Sequence, residues 1–310
     1  MSLQVNGLNI VQNNLKPQMN TTFKANPVVT TNTLERTPTT DTLVKPTQNK
    51  TKKTLLTLGA IALAGVGIFA AIKAGKAHQQ KKAIQEIEKK FADLQNDIPK
   101  VQKTFKEVFL REDLTEKEAL EMLSRYKEVE KIRITGSKEE YARAIFEEAK
   151  NNYGLSSTNI RMRYSDMSDI RTGGGYCPAF EQVDIGSNNP IERLMNVVHH
   201  ELRHVKQTYF AINSQPERYV QAMKDSKKGT VFEQYIPTIE DILKPFNLAK
   251  PNKDIVPKGC NDFVESVIKG AKEHTYSATE MGDIYHNATH EVDARFAGES
   301  IAKLFGLMAK

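Results

Sequence analysis

With 310 residues, 39% hydrophobic and 26% charged, the chain has material for one sizeable domain and additional segments. The formal net charge of +6 sits mostly at the start, where residues 1–54 hold seven Lys/Arg against two Asp/Glu; no basic stripe interleaved with aromatics follows and Trp is absent, which argues against a nucleic-acid partner. Two cysteines, Cys177 and Cys260, make neither a C-x-x-C pair nor a disulfide framework, so a disulfide-stapled scaffold is excluded.

Residues 1–54 are rich in Asn, Thr, Gln and Pro, with single apolar residues and no sustained period. Such a segment buries too little surface to offset its ordering entropy and is expected to be a disordered polar tail. Residues 55–72, LLTLGAIALAGVGIFAAI, then run 18 positions without a charge. As a helix this stretch reaches about 27 Å, enough for a thin hydrocarbon core, and Lys50, Lys52, Lys53, Lys73 and Lys76 bracket it. A single-pass membrane protein is expected, anchored through residues 55–72. Four lysines lie within about 15 residues of either end, so the positive-inside rule assigns no side. Gly67, Ala71 and Gly75 have the small-xxx-small spacing through which such helices self-associate.

Residues 73–155 read as a charged helical stalk and helical subdomain. Ala83, Ile84, Ile87, Phe91, Leu94 and Ile98 recur at three- and four-residue steps, and Pro99 breaks that helix. Thr115-x-x-Glu118 and Ser137-x-x-Glu140 are capping boxes that open helices reaching about Glu130 and Asn152, with Gly154 closing the second.

Residues 156–310 form the next unit. Ile160, Met162 and Tyr164 alternate with Arg161 and Arg163 as in a half-buried strand; Gly173-Gly174-Gly175 is expected to turn the chain into a second strand at 182–186. A strand placed there could pair with an extended substrate backbone. The next helix is expected to start at Pro190, with Asn189 as its N-cap, and to run to Phe210 on a broad apolar side.

That helix contains His200-Glu201-x-x-His204. Residues i and i+4 lie one turn apart on the same face, so both imidazoles reach one metal ion, while Glu201 sits about 100° away and reaches a water instead. Neutral imidazoles suit Zn²⁺, and a nearby carboxylate serves as general base for the water that zinc activates. His199 is expected to be a bystander. After it, 216–225 reads as a helix, 232–275 as mixed helix and loop, and 289–308 as a last helix.

Two histidines leave the centre a ligand short. A histidine six residues on is excluded by Phe210, and Gln207 occupies the position where metzincins carry glycine. With His200-Glu201-Leu202-Arg203-His204-Val205-x-Gln207, Glu291-Val292-Asp293-Ala294 and the preceding Tyr285-x-Asn287, the chain resembles the gluzincins. These are HExxH zinc peptidases whose third ligand is a glutamate on a later helix, and small bacterial zincin-like proteins share these features. The resemblance covers roughly 159–210 and 280–308. It implies an α+β zincin-like domain with a small mixed sheet, Glu291 as third ligand, and Tyr285 or His286 as hydrogen-bond donor to the oxyanion. His290 and His286 are rival ligands, with His274 a more distant one. Two residues depart from the pattern: Arg203 puts a charge at a usually uncharged motif position, and Arg295 stands where an Asp often orients a histidine ligand. Asp293 is the nearest substitute, although two residues from Glu291 it points elsewhere on an ideal helix.

The expected function is therefore that of a membrane-anchored zinc metallopeptidase acting on a peptide or protein substrate. The alternatives are a zinc-stabilised binding or scaffold module without catalysis, and a toxin or effector with a single protein substrate.

Overall fold

Local capping and a few close backbone approaches set how this chain is divided. The computed structural model describes residues 75–167, 173–177, 181–229, 233, 237–273 and 287–308. The expected tail at 1–54 and membrane span at 55–72 lie outside the described residues. Among the described residues, no helix is long and apolar enough to cross a membrane.

Helix α1, residues 75–95, buries Ile87 and Phe91. It stops at a turn over Asn96 and Asp97, and Pro99 falls in the first turn of the next helix rather than inside the first. There its missing N–H costs nothing. α2, Ile98–Phe109, ends on Leu110 in the left-handed conformation (φ 54°). α3, Glu116–Thr135, and α4, Lys138–Asn152, both begin with the reciprocal hydrogen bonds of the expected capping boxes. α3 continues past Glu130 because Glu130 is buried and paired, accepting from Tyr141 Oη and from Arg133 Nε at 3.0 Å.

The sheet has three strands, β1 Arg161–Ser165, β2 Gly174–Cys177 and β3 Gln182–Gly186, in the order β1-β3-β2. β1 runs parallel to β3 with Met162 opposite Val183, and β2 runs antiparallel to it with Gly174 opposite Ile185. The glycine triplet is therefore not a turn: Gly174 and Gly175 are strand residues. Val183 and Ile185 are fully buried and point to the helical side, while Arg163 and Asp184, partners in the register, form a salt bridge of 2.7 Å on the other.

Beyond β3 the expected helix start also moves. Ile191–Arg193 form a 3-10 turn, and the α-helix α5 spans Leu194–Ser214. Asn189 does not cap it. Its amide instead donates to the Gly173 and Gly186 carbonyls at 2.5 and 2.9 Å, tying the entrance of β2 to the end of β3. α6, Pro216–Lys227, α7, Ile239–Leu243, and α8, Asn261–Glu273, follow; α7 carries a Thr238/Asp241 capping box that the sequence reading passed over. The last helix, α9, is Thr289–Leu304. The described part of the chain is thus mostly helical with a small mixed sheet, an α+β arrangement.

One hydrophobic core runs from Ile87 on α1 to Phe305 just beyond α9, and α5 lies in its middle, against α4, α8, α9 and the sheet. Aromatic contacts join the early helices to the end of the chain, as in the Phe91–Phe305 stack at 5.3 Å and the Tyr126–Phe305 pair at 5.1 Å. α5 and α9 cross at Gly298. A Cβ there would lie 2.5 Å from both the backbone oxygen and Oδ1 of Asn196. Gly298→Ala is expected to destabilise the chain by about 1–3 kcal/mol in urea melts, overpacking outweighing the gain in helix propensity. An unchanged or raised midpoint would show that the crossing has slack.

Candidate metal centre

Helix periodicity puts His200 and His204 on one face of α5, and the α5–α9 crossing brings Glu291 onto the same spot. His200 Nε2 and His204 Nε2 are 3.2 Å apart. Glu291 sits across from both, with Oε1 3.3 Å from His200 Nε2 and Oε2 3.1 Å from His204 Nε2. A four-coordinate ion with bonds of about 2.0–2.1 Å needs its donors about 3.3 Å apart. Two nitrogens and a carboxylate already have that spacing, so these residues fit a metal ion. His200, Glu201 and His204 form a group that could hold one, their candidate donor atoms lying within 4.8 Å of one another. The Glu291 oxygens, at 3.3 and 3.1 Å from the two imidazoles, bring a further carboxylate to the same place.

Glu201 is placed differently. It is only 6% exposed, and a Cβ on Gly174 would come within 2.9 Å of its Cγ and Oε1. β2 is pressed so closely against α5 that only glycine fits opposite this carboxyl group. Burial pushes the Glu201 pKa up to about 7; His204 opposes that rise, and the negative charges of Glu291 and Asp184 add to it.

The imidazoles are tuned in opposite directions. Burial, then the neighbouring His204, push His200 down to about 3 against the pull of Glu291. For His204 burial also acts downward, but the hydrogen bond and charge of Glu291 outweigh it and the pKa is raised.

Other sequence candidates fall elsewhere. His199 is fully buried, its Nε2 3.0 Å from Tyr126 Oη and its ring among Phe109, Tyr126 and Tyr153, which agrees with its expected role as a bystander. His290 is drawn toward α8, its Nδ1 2.8 Å from Ser266 Oγ. Tyr285, His286 and His274 lie outside the described residues. The positive charge of Arg295 contributes to the depressed pKa of His200. Cys260 is a buried free thiol.

Arg203 is accounted for. It is 1% exposed and donates from Nε and Nη2 to the two oxygens of Asp293 at 2.6 and 2.7 Å, and from Nη1 to the Val108 carbonyl at 2.6 Å. Asp293 does point away from Glu291, as helix geometry requires, and toward this guanidinium. Sequence reading missed the pairing, which joins residues 90 positions apart on two different helices. No protein-family model, curated protein or solved structure matches the chain.

Because the folded pKa of Glu201 lies above the usual carboxylate value, its contribution to stability is full at acidic pH and is lost as pH rises toward 7 and beyond. Glu201→Gln, neutral throughout, is expected to escape that loss. In urea melts of metal-free protein, the variant should gain on wild type by an amount on the order of 3 kcal/mol between pH 4 and pH 8. A pH-independent difference would mean that Glu201 ionises normally in the fold.

Proposed function

We propose that the chain is a zinc-dependent peptidase of the gluzincin type, with His200, His204 and Glu291 holding the metal and Glu201 as general base. The observation that carries this is the meeting of two imidazole nitrogens with one carboxylate at metal-ligand spacing beside a second, buried carboxyl group. Two histidines and a glutamate form a zinc set that leaves a position for water or substrate. Zinc supplies Lewis acidity there, lowering the pKa of water to about 7 and polarising a carbonyl.

The chain's own residues supply the proton traffic. With the metal bound, the Glu201 carboxylate would take a proton from the attacking water and pass it to the departing amine. The low exposure of Glu201 keeps that proton from bulk water. The position of β2 supports an extended peptide as substrate. It pairs with β3 along one edge and, among the described residues, with no strand along the other. A peptide lying antiparallel along that edge would sit beside the strand that faces Glu201. Residues 55–72 would anchor this activity to a membrane, a reading that rests on their composition alone.

Zinc-loaded full-length chain should cleave members of a peptide library. Glu201→Gln should keep stoichiometric zinc and lose cleavage by about 100- to 10,000-fold. His204→Ala should lose the zinc itself, read by metal analysis after dialysis. Wild-type rates in Glu201→Gln would remove the general-base role, and full zinc retention in His204→Ala would remove the ligand assignment.

A further inference from the structure

Gln207 lies one turn beyond His204 on α5, and its side chain is fully buried. Its Nε2 is 2.7 Å from the His290 backbone oxygen and 2.7 Å from Asp293 Oδ2. Both partners only accept, so both amide hydrogens are committed to them. Reversing the amide would set its oxygen against a carbonyl and a carboxylate, which settles the assignment chemically. Oε1 is thereby turned toward His204 Nδ1, at 2.9 Å. An amide oxygen can only accept, so this contact requires the proton to be on Nδ1. His204 Nε2 then presents its lone pair to the point where Glu291 and His200 converge.

The far end of this chain of bonds is equally constrained. Both Asp293 oxygens bond to Arg203, and Arg203 is also held by the Val108 carbonyl on α2. The carboxylate cannot swing away from Gln207 without leaving a buried guanidinium unpaired.

We propose that Gln207 is a positioning residue for the metal centre: it holds His204 as the Nδ1–H tautomer and fixes its ring plane, anchored through Asp293 to Arg203. The proposal rests on the metal-centre reading above. It also gives Arg203 and Asp293 a purpose that their sequence positions alone do not suggest. The carboxylate that orients a histidine ligand acts here through an intervening amide, and Arg203 is what holds that carboxylate in place. Metal-binding histidines depend on such partners for ring orientation and basicity, and losing one weakens metal affinity about 10- to 100-fold.

The test uses the full chain with ¹⁵N-labelled histidine and zinc alone as the probe. Zinc affinity is read by competition with a chromophoric chelator, and the His204 proton by ¹⁵N-edited NMR. In zinc-loaded wild type, the His204 proton should be on Nδ1 and exchange slowly with water. Gln207→Met, close in volume but without the acceptor, should bind zinc about 10- to 100-fold more weakly and lose the slow exchange. Gln207→Glu should restore most of the affinity, because a carboxylic acid there accepts from Nδ1–H and donates to Asp293. Wild-type affinity with slow exchange in Gln207→Met would overturn the proposal. So would a wild-type spectrum with the proton on Nε2, a result that needs no variant to fold. Failure of wild type to bind zinc, or a proton on His204 Nε2 in the zinc-loaded protein, would overturn His204 Nε2 as a ligand and this inference with it; wild-type affinity with slow exchange in Gln207→Met would overturn the inference alone and leave the metal-centre reading standing.

Discussion

A single ion pair, Arg203 with Asp293, holds the two halves of the centre in register. α5 supplies two imidazoles and α9 the carboxylate, and nothing in the covalent chain relates positions 87 residues apart. Taking a guanidinium and a carboxylate out of water costs several kcal/mol each, and such a pair often stabilises no better than packed hydrocarbon. Its value here is directional. Two parallel N–H···O bonds admit one relative placement of the helices, whereas apolar side chains slide past one another at little cost. The third donor of Arg203, on the Val108 carbonyl, extends the same constraint to α2.

Two glycines complete what the ion pair begins. Gly298 lets α9 lie against Asn196, so that Glu291 reaches both histidines, and Gly174 lets β2 lie against the Glu201 carboxyl group. Both positions trade a side chain for proximity. The result is a helix approached on one side by a second helix and on another by a strand. Asn189 binds the loop ends at Gly173 and Gly186 and holds the strand in place.

Much of this was legible in the residues themselves. The HExxH pair needs only helix periodicity, and the Thr115 and Ser137 boxes need only residues three apart; both are local rules, and both hold. The boundaries that shifted were decided by distant contacts. Asn189 next to Pro190 has the composition of a helix start, but two carbonyls from the sheet claim its amide first. Gly173-Gly174-Gly175 has the composition of a turn, but a strand facing a buried glutamate also requires glycine. The link from Gln207 through Asp293 to Arg203 was invisible for the same reason: nothing relates its members until α5 and α9 are placed side by side. Arg203 looked like an exception to a motif because its partner lies on another helix.

Of the adjacent histidines, His199 and His200, the i, i+4 pairing with His204 singles out His200. The fold enforces the same choice from outside α5. Phe109, Tyr126 and Tyr153, contributed by α2, α3 and the end of α4, box in the His199 ring, and Tyr126 takes its Nε2. Those helices thereby act as a mould that sets the rotation of α5 about its own axis. The candidate metal centre is accordingly a property of the whole fold: a fragment starting at residue 156 would keep every proposed ligand and general base, and lose the walls that hold His199 and set which histidine faces inward.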